Sequence, residues 1–256
     1  MMNSPMVVTV DGTAGCGKST LARKFAYRWN ALYINSGLLY RSIGYRYIQE
    51  QGLEDRITQK SRFYPVPQLD DIITVPTLDE LGERTVREIL RAIEWDVCRT
   101  DDGGSVLLID GRPPVAELFS EDIAAVASEL AVFSEVRERC TTFQRDEATR
   151  YPRVVVEGRD AGTVVFPDAV GKWYVDAPLG VRAQRRINQL KRISPWQQVS
   201  LEAIASQIAR RDTRDTTRAI APQRPAEDAV IVDTFAEKQS DTLRAMEQLV
   251  RERVGW

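Results

Sequence analysis

The string Gly12-Thr13-Ala14-Gly15-Cys16-Gly17-Lys18-Ser19 constrains this chain more than any other eight residues. It follows the apolar run Met6 to Val10, which has strand length, and precedes Lys18 to Trp29, where Leu21, Phe25 and Trp29 recur at helical spacing. A G-x-x-x-x-G-K-[ST] segment in that setting is a phosphate-binding loop. Its glycines let backbone N–H groups converge on phosphate oxygens, and the following helix adds the positive end of its dipole. Lys18 then reaches the β- and γ-phosphates, and Ser19 holds the Mg²⁺ that travels with a nucleoside triphosphate.

The segments around this loop alternate. Strand Leu32 to Ile34 and a helix from Gly37 to about Gln51 complete a β-α-β-α opening. Strands Val154 to Val156 and Trp173 to Val175, helices Val181 to Arg192 and Leu201 to Arg218, strand Ala229 to Val232 and helix Ala236 to Arg253 resume it. An α/β fold follows, with a parallel five-stranded sheet covered by helices on both faces. Between the halves the pattern breaks down. Pro65, Pro67 and Pro76 punctuate an irregular stretch, a helix is expected over Leu78 to Cys98, and Ser105 to Ile109 reads as a strand between turns. Residues 53–122 are therefore expected to form an inserted subdomain, with 1–52 and 123–256 as the core and a small lid at about 182–200. One long helix, Asp122 to Arg150, should return the chain to the sheet.

Composition narrows the chemistry. The 256 residues include no histidine, which removes Ser/His/Asp triads, Cys/His dyads, phosphohistidine relays and most zinc sites. The net charge of −2 argues against a nucleic acid polymer as partner. From Arg150 to Arg224, however, 12 Arg and 2 Lys face 7 acids, a local charge of +7 that points to an anionic ligand. Cys16, Cys98 and Cys140 are odd in number and far apart, which suits a reducing compartment rather than a disulfide framework. Neither a secretory signal in Met1 to Val10 nor a membrane span is expected, so the reading is cytoplasmic, and monomeric.

Four further clusters carry candidate chemistry. Val154-Val-Val-Glu157-Gly-Arg159-Asp160 ends a strand in charged residues, where parallel sheets gather ligands. Glu157 is either an acid for Mg²⁺ or a solvated strand end, and Arg159 and Asp160 either meet a ligand or pair with each other. The apolar stripe Leu201, Ile204, Ile208 continues as Arg211, Asp215 and Arg218, so those charges face inward, toward a buried network or a ligand. Arg182, Arg185 and Arg186 form one helical turn of guanidiniums, a closing flap or an exposed basic face. Ser36, ahead of Tyr40 and Arg41, is a ligand contact or a helix cap. Cys16 is a passive loop residue or a redox-sensitive one.

Together these residues resemble the bacterial cytidylate kinase (CMP kinase) family of nucleoside monophosphate kinases. The resemblance runs through the phosphate loop, Ser36-Gly-x-x-Tyr40-Arg41, Val126-Ala-Ser128 with Val136-Arg137, Gly158-Arg-Asp-x-Gly-Thr-Val-Val-Phe-Pro-Asp-Ala169, Arg182-Ala-x-Arg-Arg186, and Arg211-Asp-x-Arg-Asp-x-x-Arg218-Ala-x-Ala-Pro222. It implies a P-loop NTPase core with a CMP-binding insert and a lid, and transfer of the ATP γ-phosphate to CMP or dCMP with Mg²⁺. It further implies that Gly12 to Thr20 hold ATP, that Ser36, Arg41, Arg159 and Arg218 serve the CMP phosphate, and that Tyr40 also belongs to the CMP site. Ser128, Arg137 and Asp160 would read cytosine, and Asp215 with Arg211 the ribose. Lys18, Arg159, Arg182, Arg185 and Arg186 would act on the transferring group, with Ser19 and Glu157 on the metal. The chain departs from the family pattern at Thr13-Ala14 (Pro-Ser), at Cys16 (a small residue), at Glu157 (Asp), at Leu118-Phe119-Ser120 (Ile-Arg-Thr), and in a longer, poorly matched insert from about Asp55 to Asp102. The alternatives are a P-loop kinase for another small acceptor, such as thymidylate, and a non-catalytic nucleotide-binding regulator.

Overall fold

A computed structural model describes residues 4–53, 80–101, 103–193 and 200–255. In chain order these form β1 (Met6–Gly12), α1 (Lys18–Arg28), β2 (Leu32–Asn35), α2 (Ser36–Glu50), α3 (Glu80–Ala92), β3 (Trp95–Arg99) and β4 (Ser105–Ile109). Then follow α4 (Glu121–Leu130), α5 (Ser134–Thr149), β5 (Arg153–Glu157), β6 (Gly171–Asp176), α6 (Leu179–Ile193), α7 (Leu201–Thr217), β7 (Val230–Asp233) and α8 (Gln239–Val254).

Five strands form one parallel sheet in the order β2-β5-β1-β6-β7. Successive side chains on a strand point to opposite faces, so each buried strand feeds two cores. Val154 and Val156 of β5 enter one core with Leu39 and Ile43 of α2, Val126 of α4 and Cys140 of α5. Val155 enters the other with Val8 and Val10 of β1, Leu21 and Phe25 of α1, and Met246 of α8. Both faces are thus covered, which is why the strands are near-continuous apolar runs. A smaller cluster joins Ala14 of the glycine-rich loop to Ala183 and Ile187 of α6 and Ile204 and Ile208 of α7, fastening this helix pair beside the loop.

The register brings the functional ends together. Val10 lies opposite Glu157, Asn35 lies opposite Glu157 from the other side, and Gly12 lies opposite Val175. The carboxyl ends of β1, β2, β5 and β6 therefore share one edge, where parallel sheets bind ligands.

Three expected elements differ. The helix expected over Leu78 to Cys98 stops at Ala92, and Trp95 to Arg99 form β3, antiparallel to β4 with Trp95 opposite Ile109. Trp95 and Val97 are buried while Asp96 and Cys98 are half-buried, a period of two that a helical reading passes over. The single helix expected over Asp122 to Arg150 is two, because Ala131 caps α4 and Phe133 takes an extended conformation (φ −80°, ψ 130°). The last helix starts at Gln239 rather than Ala236, since Asp233 Oδ1 accepts the Phe235 amide at 2.8 Å and holds a turn first. Part of the expected insert, residues 54–79, lies outside the described residues. The described part does not have a core of its own: Val86, Ile89, Trp95 and Leu107 join the apolar cluster of β5 and α2. Trp95 Nε1 also donates to Ser42 Oγ at 2.9 Å.

Candidate active site

A cleft of about 1050 Å³ opens at the carboxyl edge of the sheet. Its floor is the glycine-rich loop. Gly12 takes φ 151°, and a Cβ there would lie 2.0 Å from the Val175 carbonyl oxygen, so no other residue fits between β1 and β6. The loop is braced from below: Thr13 Oγ1 donates to Asp176 Oδ1 at 2.5 Å, and the Cys16 carbonyl accepts from Thr234 Oγ1 at 2.6 Å and from Arg185 Nη1 at 3.0 Å. The Cys16 side chain is fully buried in the core beneath the loop, which favours the passive reading of that residue.

At the head of α1, Lys18 Nζ donates to the Thr13 carbonyl at 3.0 Å and lies 3.9 Å from Glu157 Oε1. Burial, then the nearby Arg159 guanidinium, pulls the Lys18 pKa below its ordinary value. A bound polyphosphate would offset both effects. Ser19 Oγ donates to Glu157 Oε1 at 2.6 Å, and the Tyr33 hydroxyl donates to Glu157 Oε2. Burial, then the Glu157 charge, pushes the Tyr33 phenol well above its usual range and keeps it a donor. Ser19 and Glu157 thus present hard oxygens at one point, which suits Mg²⁺. No cluster of three or more His, Cys, Asp or Glu able to cage a metal occurs among the described residues, so phosphate and water oxygens would complete the shell, as is usual for Mg²⁺.

The opposite wall is built on two aspartates shared by four arginines. Asp160 pairs with Arg137 through Oδ2 and with Arg218 at 3.4 Å through Oδ1. Asp215 Oδ2 lies 3.3 Å from Arg159 Nε and 3.8 Å from Arg211 Nε, and its Oδ1 accepts from Ser128 Oγ at 2.9 Å. Arg159 and Asp160 therefore do not pair with each other. Burial alone would raise the Asp215 pKa, but Arg159, Arg211 and Arg218 hold it below the ordinary carboxylate value. The break between α4 and α5 belongs to this wall, because Arg137 Nη1 donates to the freed Ala131 carbonyl at 3.2 Å. Tyr40 stacks under Arg137, 5.7 Å from ring centre to guanidinium.

Arg41 stands apart from the two shared aspartates. Its Nη1 donates to the carbonyls of Leu118 (2.6 Å) and Ser120 (3.1 Å), and among the described residues it has no carboxylate at ion-pair distance. Burial, then Arg211, lowers its pKa to about 9. Glu121, next to Arg186, Arg41 and Arg211, is the acid that eases this crowding. Ser36 is not the helix cap, which is Asn35; its hydroxyl lies under Gly158, where a Cβ would meet Ser36 Oγ and Asp11 Oδ1 at 3.1 Å.

Gly17, Lys18, Ser19, Thr20, Ser36, Tyr40, Arg41, Ser128, Arg137, Arg159, Asp160, Arg211, Asp215 and Arg218 all line the one cleft with Glu157, Arg185 and Arg186. Arg182 does not. Its Nε donates to the Ala177 carbonyl at 2.9 Å, its Nη1 to the Ala14 carbonyl at 3.1 Å, and it pairs with Asp212, so it ties α6 and α7 to the loop instead of facing ligand. Of the flap expected at 182–200, residues 194–199 lie outside the described residues. Sequence reading missed Asp11, whose carboxylate accepts the amides of Ala161 (2.8 Å) and Gly162 (2.7 Å), and it also missed Tyr33 and Glu121. An acid set between the apolar run Met6 to Val10 and the first glycine of the loop was the available signal for Asp11; for the other two there was none.

The cytidylate kinase family pattern matches residues 8–252. A cytidylate kinase of Rhodococcus opacus (strain B4) is 32% identical over 255 residues, covering 100% of this chain and 99% of that protein. Those of Nitratidesulfovibrio vulgaris (strain DP4) and Coxiella burnetii (strain RSA 493 / Nine Mile phase I) are 34% identical over 249 residues and 35% over 229, covering 97% and 89% of this chain and 94% and 84% of theirs. The likeness takes in the loop at one end of the cleft and the arginine-aspartate wall at the other, and this chain belongs to the cytidylate kinase family.

Proposed function

We propose that this chain transfers the γ-phosphoryl group of ATP to CMP or dCMP, giving ADP and the nucleoside diphosphate. The observation that carries this reading is the wall in which Asp160 and Asp215 are shared among Arg137, Arg159, Arg211 and Arg218, facing a cleft whose floor is the Lys18 loop. Cytosine offers an amino donor at position 4 and acceptors at N3 and O2. A carboxylate such as Asp160 accepts from the first, Arg137 donates to the others, and Asp215 accepts from ribose hydroxyls.

The acceptor explains why no histidine is needed. The second pKa of a phosphate monoester is near 6, so at pH 7 the attacking oxygen is already ionised and requires no general base. What remains is positioning and charge. Arg41, Arg159 and Arg218 hold the acceptor phosphate, Lys18 and the loop amides hold the donor phosphates, and Arg185 and Arg186 stand over the transferring group. Ser19 and Glu157 would hold Mg²⁺, which would supply charge neutralisation for the donor phosphates. The stretch 53–122 serves the acceptor side, and about 182–200 closes over the donor to keep water from the γ-phosphate.

A panel of CMP, dCMP, UMP, TMP and AMP with ATP and Mg²⁺ tests the assignment. CMP or dCMP should give the highest kcat/KM. Preferred turnover of TMP, or none with any acceptor despite ATP binding, overturns it.

A further inference from the structure

Tyr33 has no role in the scheme above, yet its side chain ends on a residue that does. It lies on β2, opposite Val155, two residues before Asn35, which is opposite Glu157. Residues two apart on a strand share a face, so Tyr33, Val155 and Glu157 all point toward α1. The ring packs against the core under that helix, and the hydroxyl reaches forward to Glu157 Oε2. Glu157 Oε1 takes the Ser19 hydroxyl at 2.6 Å. Both carboxylate oxygens are thereby engaged by neutral donors from different elements.

We propose that Tyr33 is a positioning residue that fixes the Glu157 carboxylate for the divalent cation accompanying the donor nucleotide, an inference that rests on the reading above. The two hydrogen bonds are not equivalent. The Ser19 hydroxyl has a lone pair to give a cation as well as a proton for Glu157 Oε1, so its position answers to the metal as well as to the carboxylate. The Tyr33 hydroxyl comes from a separate strand and serves Glu157 Oε2, so it holds the carboxylate independently of the serine. Glutamate needs such a clamp more than aspartate does, since its carboxylate swings on one more rotatable bond. Partners that orient a metal ligand are worth about 10- to 100-fold in metal affinity.

Tyr33→Phe keeps the ring and removes only the hydroxyl. Mn²⁺ affinity in the presence of ADP is read by electron paramagnetic resonance of the free ion, and the reaction rate is read against Mg²⁺ concentration at saturating ATP and CMP. The Mn²⁺ Kd and the Mg²⁺ midpoint should both rise about tenfold, while the KM for CMP stays within about twofold. In a Glu157→Asp background, where the carboxylate ends one methylene short of the phenol, adding Tyr33→Phe should change Mn²⁺ affinity by less than about twofold. Unchanged Mn²⁺ affinity in Tyr33→Phe, or the same loss in both backgrounds, overturns the proposal. The Mn²⁺ measurement needs no acceptor. If the chain failed to phosphorylate CMP, the clamp would still be read, and the two failures stay distinct.

Discussion

The two ends of the cleft hold anions by different means. At the Lys18 end the work falls to one continuous turn of backbone, with Gly12 pressed against Val175 and a helix starting at Lys18. At the other end it falls to side chains from α2, α4, α5, α7 and the segments after β5 and α7, held apart by Asp160 and Asp215. Backbone amides are rigid and carry no net charge, so at the first end they converge on an anion without repelling one another. Guanidiniums repel one another, so the second needs buried acids to keep its arginines in place before a substrate arrives. Those acids are then available to read the nucleoside, and one set of residues serves both structure and selection.

The largest effect is expected from removing the cation at the head of α1. Lys18 is buried and, among the described residues, bonded only to its own loop and, weakly, to Glu157, so its charge is free to follow the migrating phosphoryl group. Lys18→Ala should lower kcat by at least about 100-fold, the scale of losing one preorganised electrostatic contact. Steady-state kinetics alongside thermal unfolding checks this. A kcat near that of the wild type would mean that the backbone alone suffices.

The second end should fail differently, in selectivity before rate. Uracil sets a carbonyl oxygen where cytosine has its amino group, so a carboxylate at Asp160 favours one base and repels the other. Asp160→Ala should compress the ratio of kcat/KM for CMP over UMP by at least about tenfold, the worth of one good polar contact to a base. Because the variant also leaves Arg137 and Arg218 without a shared partner, stability should fall by about 3–5 kcal/mol. A ratio that stays constant while both substrates weaken equally would make Asp160 a spacer for the arginines and move the base reader elsewhere.

The same contrast governs what the sequence makes legible. The phosphate loop is local, so eight contiguous residues between a strand and a helix suffice to recognise it. The five strands were legible because burial on both faces makes them apolar throughout. The far wall is not local. The inward-facing charges Arg211, Asp215 and Arg218 could be read from helical spacing, but their meeting with Ser128, Arg137 and Arg159 follows from strand order and helix packing, and only the resemblance suggested it. The interruption at Ala131 to Phe133 carries no glycine or proline, and its reason, a carbonyl for Arg137, lies in tertiary structure. Arg182 misled for the opposite reason: a helical turn of arginines resembles one unit, yet Arg182 is spent on Ala14, Ala177 and Asp212.

Asp11 joins the two ends, and pH should expose it. Its carboxylate sits on the strand that leads into the loop and accepts the amides of Ala161 and Gly162, just beyond Arg159 and Asp160. Burial, opposed by those two hydrogen bonds, raises its pKa from 3.8 to about 7. Between those values the folded state holds a proton that the unfolded chain has released, so this group's contribution to stability is greatest at low pH and is lost as pH rises through about 7. Asn at this position does not titrate. From pH 6 to pH 8 the wild type should therefore lose about 1.4 kcal/mol relative to Asp11→Asn, or about 3–5 °C in Tm. Thermal unfolding of both proteins at the two pH values measures the difference. A difference in Tm that does not change with pH would mean that Asp11 remains ionised throughout, with its two amide hydrogen bonds outweighing burial, and that the link between the loop strand and the arginine wall does not titrate near neutrality.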